Sequence, residues 1–299
     1  MTATLLSLGH GYTARALGRR LTAEGWSVIG TTRDDHAARA IAAEGAEPLR
    51  LPAAGLAGFD LSGALARADH LLVSIAPGPS GDPVLAAQAS ALAEAAPHLR
   101  WIGYLSTTGV YGDHGGGWVD ETTPANPVSE RGRARVLAEG QWLDFGRRTG
   151  VPVQVFRLAG IYGPGRGPFE KIRNGTAQRV IKPGQYFSRA HVEDIATVLA
   201  ASMARPDPGA IYNVCDDEPA PPQDVLTRAA AMIGMAPPPE VPYEKADLSP
   251  MARAFYADSK RVRNDRIKRD LGVALAYPTL DAGLRAILAA ESRDAGAGA

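Results

Sequence analysis

The 299-residue chain has only one cysteine, Cys215, so no internal disulfide can form. That residue directly follows the apolar run Ile211–Val214, which reads as a strand, and a small buried hydrophobe is expected there. Charge of one sign is also missing. Lys plus Arg and Asp plus Glu number 32 each, so no global field points to nucleic acid or an acidic surface. No apolar run reaches the roughly 18 residues that suggest a membrane span. An apolar strand begins almost at Met1, leaving no room for a signal or transit peptide. The six histidines are scattered without metal-ligand spacing, and no internal repeat is found. These absences predict a soluble, cytoplasmic protein with no metal, no nucleic-acid partner and no membrane contact. Its length allows one large domain or two modest ones around a substantial core.

What the chain does have begins at residue 5. The apolar run Leu5-Leu6-Ser7-Leu8 breaks into Gly9-His10-Gly11-Tyr12-Thr13-Ala14, and helical spacing follows with Ala14, Leu17 and Leu21. Strand, glycine turn and helix in that order let backbone N–H groups and a helix N-terminus hold a pyrophosphate. Gly9 suits the tight turn, Gly11 leaves room for phosphate, and Ala14 allows close packing of helix on strand. Gly-x-Gly-x-x-Ala alone is a weak signal, because any turn between strand and helix can hold glycines.

A second strand, Val28-Ile29-Gly30, ends in Thr31-Thr32-Arg33, where the motif expects an acid for the ribose diol. No acid occupies the tip; Asp34 and Asp35 come just after it. Hydroxyls and a guanidinium suit the 2′-phosphate of NADP instead, because Arg makes paired charge-assisted bonds to it. A solvated loop residue is the plainer alternative for Arg33; the glycine turn favours NADP.

Strand-like runs at 4–8, 27–31, 48–51, 70–75, 101–106 and 152–157 alternate with helical patterns. This predicts an α/β fold, a doubly wound parallel sheet of the Rossmann type. Ligands of such sheets bind at the carboxyl ends of strands, which places Gly9, Arg33, Ala76, Thr107 and Leu158 along one edge. After about residue 163 proline and glycine recur and strands become fewer, and 236–250 is too proline-rich for a regular helix. The expected organisation is a nucleotide-binding domain over 1–162, with 186–214 returning to it. A smaller, partly helical substrate-covering region takes 163–299, and 292–299 is expected to be a disordered tail.

Four further stretches carry a family resemblance. Leu105-Ser106-Thr107-Thr108-Gly109-Val110-Tyr111-Gly112 resembles the fifth strand and active-site loop of extended short-chain dehydrogenases/reductases. Arg157 to Gly165 resembles the segment after their sixth strand, and Phe187 to Ala196, with His191-Val192-Glu193-Asp194, their His-Val-x-Asp helix start. Leu271-Gly272, Tyr277-Pro278 and Gly283-Leu284 resemble their C-terminal signature. The resemblance implies a cofactor site of Gly9, His10, Gly11, Tyr12 and Thr13, then Thr32 and Arg33. Ser74, Ala76, Pro77, Ser106, Arg135, Leu158, Ala159 and Gly160 complete it. It also implies a homodimer through helices at 84–96 and 130–146.

One absence is specific to that family. Its Tyr-x-x-x-Lys pair sets both groups one helical turn apart beside the nicotinamide, where the Lys and the cofactor lower the Tyr pKa. In register, those positions hold Arg131 and Arg135, and no other Tyr-x-x-x-Lys occurs between 100 and 160. A guanidinium, unlike a phenol, does not serve as acid or base in proteins, so Arg131 does not replace the Tyr in proton transfer. Arg135 can hold ribose hydroxyls as the family Lys does, and Thr107 matches the strand-five hydroxyl. The catalytic candidates are therefore Thr107, Tyr111, Arg131 and Arg135, with Tyr111 either a replacement proton donor or a structural phenol.

Trp118, Arg166, Arg189 and His191 are the candidate substrate contacts. His114-Gly115-Gly116-Gly117-Trp118 reads either as a mobile flap whose Trp covers a ligand or as a loop with one buried anchor. Glu121 and Glu130 are further acids, though loop carboxylates are commonly solvated. The basic run Lys260 to Arg269 reads as a solvated helix. The expected function is an NADP-dependent oxidoreductase acting on a small anionic or sugar-like substrate. The rivals are a non-catalytic NADP-binding redox sensor and a nucleotide-sugar epimerase or dehydratase that recycles its cofactor.

Overall fold

The computed structural model describes residues 2–297. The first half is a regular alternation: β1 (Thr4–Leu8), α1 (Tyr12–Ala23), β2 (Ser27–Thr32), α2 (Asp35–Ala43), β3 (Glu47–Arg50), α3 (Ser62–Leu65), β4 (His70–Val73), α4 (Pro83–Ala95) and β5 (Trp101–Thr107). A 3-10 turn, Thr108–Tyr111, leads to β6 (Trp118–Val119), the long α5 (Glu130–Thr149) and β7 (Val153–Leu158). Then come β8 (Gly160–Tyr162), α6 (Phe169–Arg173), β9 (Arg179–Ile181), β10 (Arg189–His191), α7 (Val192–Ala204) and β11 (Ile211–Val214). The remainder is α8 (Pro222–Met232), β12 (Glu240–Pro242), α9 (Pro250–Phe255), β13 (Arg261–Val262), α10 (Asp265–Leu271) and α11 (Leu280–Ala297).

Seven strands form one parallel sheet in the order β11-β7-β5-β4-β1-β2-β3. Helices cover both faces, which is why β4 and β7 are buried at every position instead of alternating. On one face Ala14, Leu17 and Leu21 of α1 meet Ile195, Val198 and Leu199 of α7. On the other, Val84 and Leu92 of α4 pack with Ala138, Trp142 and Phe145 of α5. Side chains set the helix starts: Asp34 accepts from Ala37 N (2.7 Å), Asp82 from Val84 N (2.9 Å), and Ser129 from Gly132 N (3.0 Å). Gly150, at φ +79°, ends α5 in the left-handed region.

The sheet order reverses between β1 and β4, so a crevice opens beyond their carboxyl ends. Over it lie two short parallel pairs, β8 with β10 and β9 with β12, around a separate core of Phe169, Ala229, Leu284 and Ile287.

Some local expectations change. The basic run at 260 is not one helix: Arg261–Val262 pair as β13 with β6, and α10 begins only at Asp265. The segment 236–250 forms no regular helix before Pro250, as its prolines imply, and holds β12 and a 3-10 turn, Tyr243–Lys245. Residues 292–297, expected in a disordered tail, lie within α11, and 298–299 fall outside the described residues. Among the described residues, no helix is long and apolar enough to cross a membrane.

Candidate functional site

A cavity of about 800 Å³ opens at the carboxyl edge of the sheet. Its floor is the β1–α1 turn. Gly9 sits at φ +86°, and a Cβ there would lie 2.9 Å from Ile75 Cγ1 and 3.0 Å from Ile75 N, so only glycine fits. Over Gly11 the space is open, the nearest obstacle to a Cβ being Gly9 O at 3.9 Å. Gly11 precedes α1 with no side-chain cap, leaving first-turn N–H groups at the cavity without internal partners. Free amides, an open glycine and a helix N-terminus suit a pyrophosphate, so the residues present fit a dinucleotide.

Neighbours hold the turn rigid. Gly9 N donates to Thr31 Oγ1 (2.7 Å), and Ser74 Oγ donates to Gly9 O. His10 does not face the cavity. Its ring fills the space beside Gly18 and Gly30, where added Cβ atoms would come within 2.8 and 2.6 Å of it. Burial pushes that imidazole down to about 4, so it packs as a neutral wedge between α1 and β2.

At the end of β2, Thr32 is half-buried and Arg33 exposed, both outside the cavity wall. Asp34 spends its carboxylate on capping α2. Ala76 and Pro77 also lie beyond the wall, whereas Tyr12, Thr13, Ser74, Leu158, Ala159 and Gly160 line it.

The strand-five loop brings Ser106 and Thr107 to the cavity. Thr107 Oγ1 accepts from Gly109 N (3.1 Å), which caps the 3-10 turn and leaves the hydroxyl hydrogen for a ligand. Ser106 Oγ donates to Glu139 Oε1 (2.5 Å), and Glu139 is paired with Arg157 in the interior (Nη2 to Oε2, 2.8 Å). Arg131 and Arg135, one turn apart on α5, both reach the cavity. Arg135 Nη1 donates to Leu105 O (2.5 Å) and to the Tyr104 hydroxyl (3.2 Å), tying α5 to β5. Arg131 has no hydrogen bond or ion pair among the described residues.

Several expected site residues lie elsewhere. Tyr111 is buried, and its hydroxyl donates to Asn213 Oδ1 (2.7 Å) on β11. Arg157 lies over its ring, and burial raises its pKa, so it serves the core and does not reach the cavity. His191 starts α7, its Nδ1 accepting from Glu193 N (3.3 Å), with its ring 4.0 Å from that of Tyr277. Burial lowers that imidazole to about 4, outside the cavity wall. Trp118 covers nothing: it is 48% exposed, under the Arg263 guanidinium. Its loop is pinned rather than mobile, with His114 N and Gly116 N both donating to Ser259 O (3.0 and 2.9 Å). Glu121 accepts from Asn213 N (2.8 Å), and Glu130 is exposed.

Arg166 and Arg189 do line the cavity. The Arg166 guanidinium lies 4.3 Å from the Tyr12 ring centroid, near the glycine turn. Other lining groups escaped the sequence reading: Tyr186, Phe187, Phe255, Tyr256, Asp258 and Lys260. Lys260 is buried, donates to Gly112 O (3.1 Å) and pairs with Asp258. Phe255 ends α9 and Tyr256, Asp258 and Lys260 follow it, while Tyr186 and Phe187 lead into β10; only the fold brings them to the strand-five loop.

Residues 87–215 match the family described as NAD dependent epimerase/dehydratase family. The chain is 34% identical over 241 residues to Protein YeeZ of Escherichia coli (strain K12), covering 77% of this chain and 84% of that one. Among solved structures it is similar to a functionally unknown conserved protein from Silicibacter pomeroyi DSS, at 59% identity and TM-score 0.90, covering 97% and 99%. It is also similar to UDP-glucuronic acid 4-epimerase from Bacillus cereus in complex with UDP-glucuronic acid and NAD. There the TM-score is 0.78 and coverage 98% and 99%, but identity is 17%, a likeness of fold alone. With its seven-stranded parallel sheet and its glycine turn at the switch point, this chain belongs to the NAD-dependent epimerase/dehydratase family of extended short-chain dehydrogenases/reductases.

Proposed function

We propose that the protein binds NADP(H) and acts as an oxidoreductase on a small anionic substrate. One observation carries this reading. The cavity that begins at the glycine turn is lined by five cationic side chains, Arg131, Arg135, Arg166, Arg189 and Lys260, against one carboxylate, Asp258. A dinucleotide accounts for the charge near Tyr12, and the remainder suits an anion beyond it. Thr32 and Arg33 at the end of β2, with Asp34 committed to its cap, favour a 2′-phosphate over a free ribose diol.

In this reading the turn from Gly9 to Thr13 holds the pyrophosphate, and Arg166 adds charge beside it. The bound cofactor supplies or accepts a hydride. Thr107 donates its free hydroxyl hydrogen to the substrate oxygen and so polarises it. Arg135, fixed on Leu105 O, presents its remaining N–H groups to ribose, and Arg131 binds substrate charge. A guanidinium offers N–H donors but no acid or base for the reaction.

A second reading, NADP(H) binding without turnover, is favoured by one specific observation. Arg131 stands in the family's Tyr position. Of the tyrosines on the wall, Tyr12 donates its phenol to Pro164 O (2.9 Å) and Tyr162 is packed against Gly283, so only Tyr186 and Tyr256 remain as wall phenols among the described residues. Titrating NADPH and NADH against the purified protein tests the shared part, and equal affinity or none sinks it. Oxidation of bound NADPH across a panel of carbonyl acids separates the two readings. A homodimer through α4 and α5 belongs to the same proposal, since Leu137 and Ala86 are exposed on their outer faces. A monomeric mass in sedimentation would remove it.

A further inference from the structure

We infer that Arg189 is the specificity residue of the cavity and reads a carboxylate on the substrate, side-on, through its Nε and Nη2 edge. The inference rests on the reading of this cavity as a pocket for an anionic substrate. Arg189 lies on β10, opposite Gly160 of β8. Its Nη1 donates to Phe187 O (3.0 Å) and Ala220 O (3.2 Å), which fixes the plane of the guanidinium. Nε and Nη2 have no hydrogen-bond partner among the described residues. They are also absent from the sealed, unsatisfied side-chain atoms, so they remain accessible where the residue lines the cavity. Two parallel N–H groups on one rigid edge match two oxygens on one carbon.

Among the described residues, no internal carboxylate takes this role. Asp216 is the nearest in electrostatic terms, yet its side chain makes no ion pair with Arg189. Its Oδ1 accepts from Glu218 N (3.2 Å), and its Oδ2 is buried without a partner. Burial pushes the Asp216 carboxyl up to about 8, so around neutrality it is largely protonated and leaves the guanidinium uncompensated. A partly buried cation without a counterion is costly, and a ligand anion removes that cost.

The fixed geometry favours a carboxylate. Lys260 is spent on Asp258 and Gly112 O, and Arg166 stands over Tyr12 at the glycine turn. Among the described residues Arg131 is also unpaired on the wall, but Arg189 is the guanidinium held in a fixed plane by two carbonyls. Its single flat edge matches the two coplanar oxygens of a carboxylate better than the tetrahedral oxygens of a phosphomonoester. The walls beside it are aromatic: Phe187 lies 5.4 Å from Tyr256 between ring centroids, and the Arg189 guanidinium is 6.0 Å from the Phe187 ring. The substrate class is therefore a carboxylic acid with an apolar or planar body.

NMR titration with benzoate, benzamide and phenyl phosphate, with and without NADP+, tests this on the whole protein. Benzoate should bind at least ten-fold more tightly than neutral benzamide and more tightly than phenyl phosphate. Arg189→Gln should weaken benzoate at least ten-fold. Arg189→Lys, which keeps the charge but loses the fork, should weaken it at least three-fold. Benzoate that fails to bind, or binds no better than benzamide or phenyl phosphate, overturns the inference on the parent protein even if the variants do not fold. Equal benzoate affinity in a folded Arg189→Gln variant overturns it too. Arg189-dependent benzoate binding without any NADP+ binding would leave this inference standing and remove the cofactor reading instead.

Discussion

The buried pair Glu139–Arg157 lies directly under the strand-five loop, and breaking it should cost far more than its two contacts suggest. The carboxylate accepts from Arg157 Nη2 at 2.8 Å and Nε at 3.2 Å, and both side chains are under a tenth exposed (5% and 7%). Ser106 Oγ uses the same carboxylate. Glu139→Ala leaves a guanidinium in the interior with only the Tyr111 ring, 4.8 Å away, as a neighbour of favourable charge. An uncompensated buried charge costs about 3–5 kcal/mol. For a domain of this size that is a drop in Tm of roughly 6–20 °C. Replacing both partners, Glu139→Leu with Arg157→Met, removes the stranded charge and should recover most of the loss. Guanidinium chloride unfolding of the parent, the single and the double variant measures each value. A Glu139→Ala cost below about 1 kcal/mol, the scale of an exposed pair, would refute the reasoning. So would a double variant as unstable as the single one.

Three other outcomes follow from single groups. Arg33→Ala should weaken NADPH by about 1.5–3 kcal/mol, the scale of a charge-assisted bond, and leave NADH nearly unchanged; equal weakening in calorimetry would refute the 2′-phosphate role. Asp216 is held up at about 8 by burial, so the folded state binds a proton that the unfolded state has released. Its stability contribution is complete below the unfolded carboxylate pKa and is lost as pH rises through the folded value. Between about pH 4 and 8 the parent should therefore lose up to about 1.4 kcal/mol per pH unit relative to Asp216→Asn. Parallel stability curves for the two would show that the carboxyl is ionised in the fold. Gly283→Ala sets a Cβ 2.0 Å from the Tyr162 hydroxyl, and an overpacking cost of about 1–3 kcal/mol should outweigh the helix-propensity gain of about 1 kcal/mol. A raised melting temperature would contradict it.

The sheet was legible because burial on both faces writes a strand as a continuous apolar run, as in Leu71-Leu72-Val73. The glycine turn was legible because its constraint is local: a positive φ at Gly9 and open space at Gly11. Tyr111 shows where that stops. Nothing near it in sequence says that its hydroxyl will meet Asn213, 102 residues later, or that Arg157 will lie over its ring. His10 misled for a similar reason. It stands inside a phosphate-binding motif, yet Gly18 and Gly30 leave a gap that only its ring fills. Lys260 was read as solvated because it opens a basic run. Burial came from its bond to Gly112, 148 positions away, and from β13 pairing with β6.

The two arginines on α5 alter what the cavity can do without altering how it is built. In the usual family arrangement a phenol and an ammonium share one helix face, one moving a proton and the other fixing ribose. Here Arg135 keeps the positional part, because its bond to Leu105 O anchors α5 against the strand that carries Thr107. Arg131 replaces the phenol with a guanidinium, which carries a positive charge and has no acceptor for a proton. A group that moved protons has become a group that attracts anions. The other cationic residues on the wall push in the same direction, and Asp258, the lone lining carboxylate, is already paired with Lys260. The wall therefore favours anions, and in the proposed reaction any proton that accompanies hydride transfer would pass through a hydroxyl such as Thr107 or through water. The two proposed readings, an enzyme for carboxylate substrates and an NADP(H)-binding protein without turnover, therefore share one framework. The difference between them lies in proton supply, not in the fold or in the cofactor cradle.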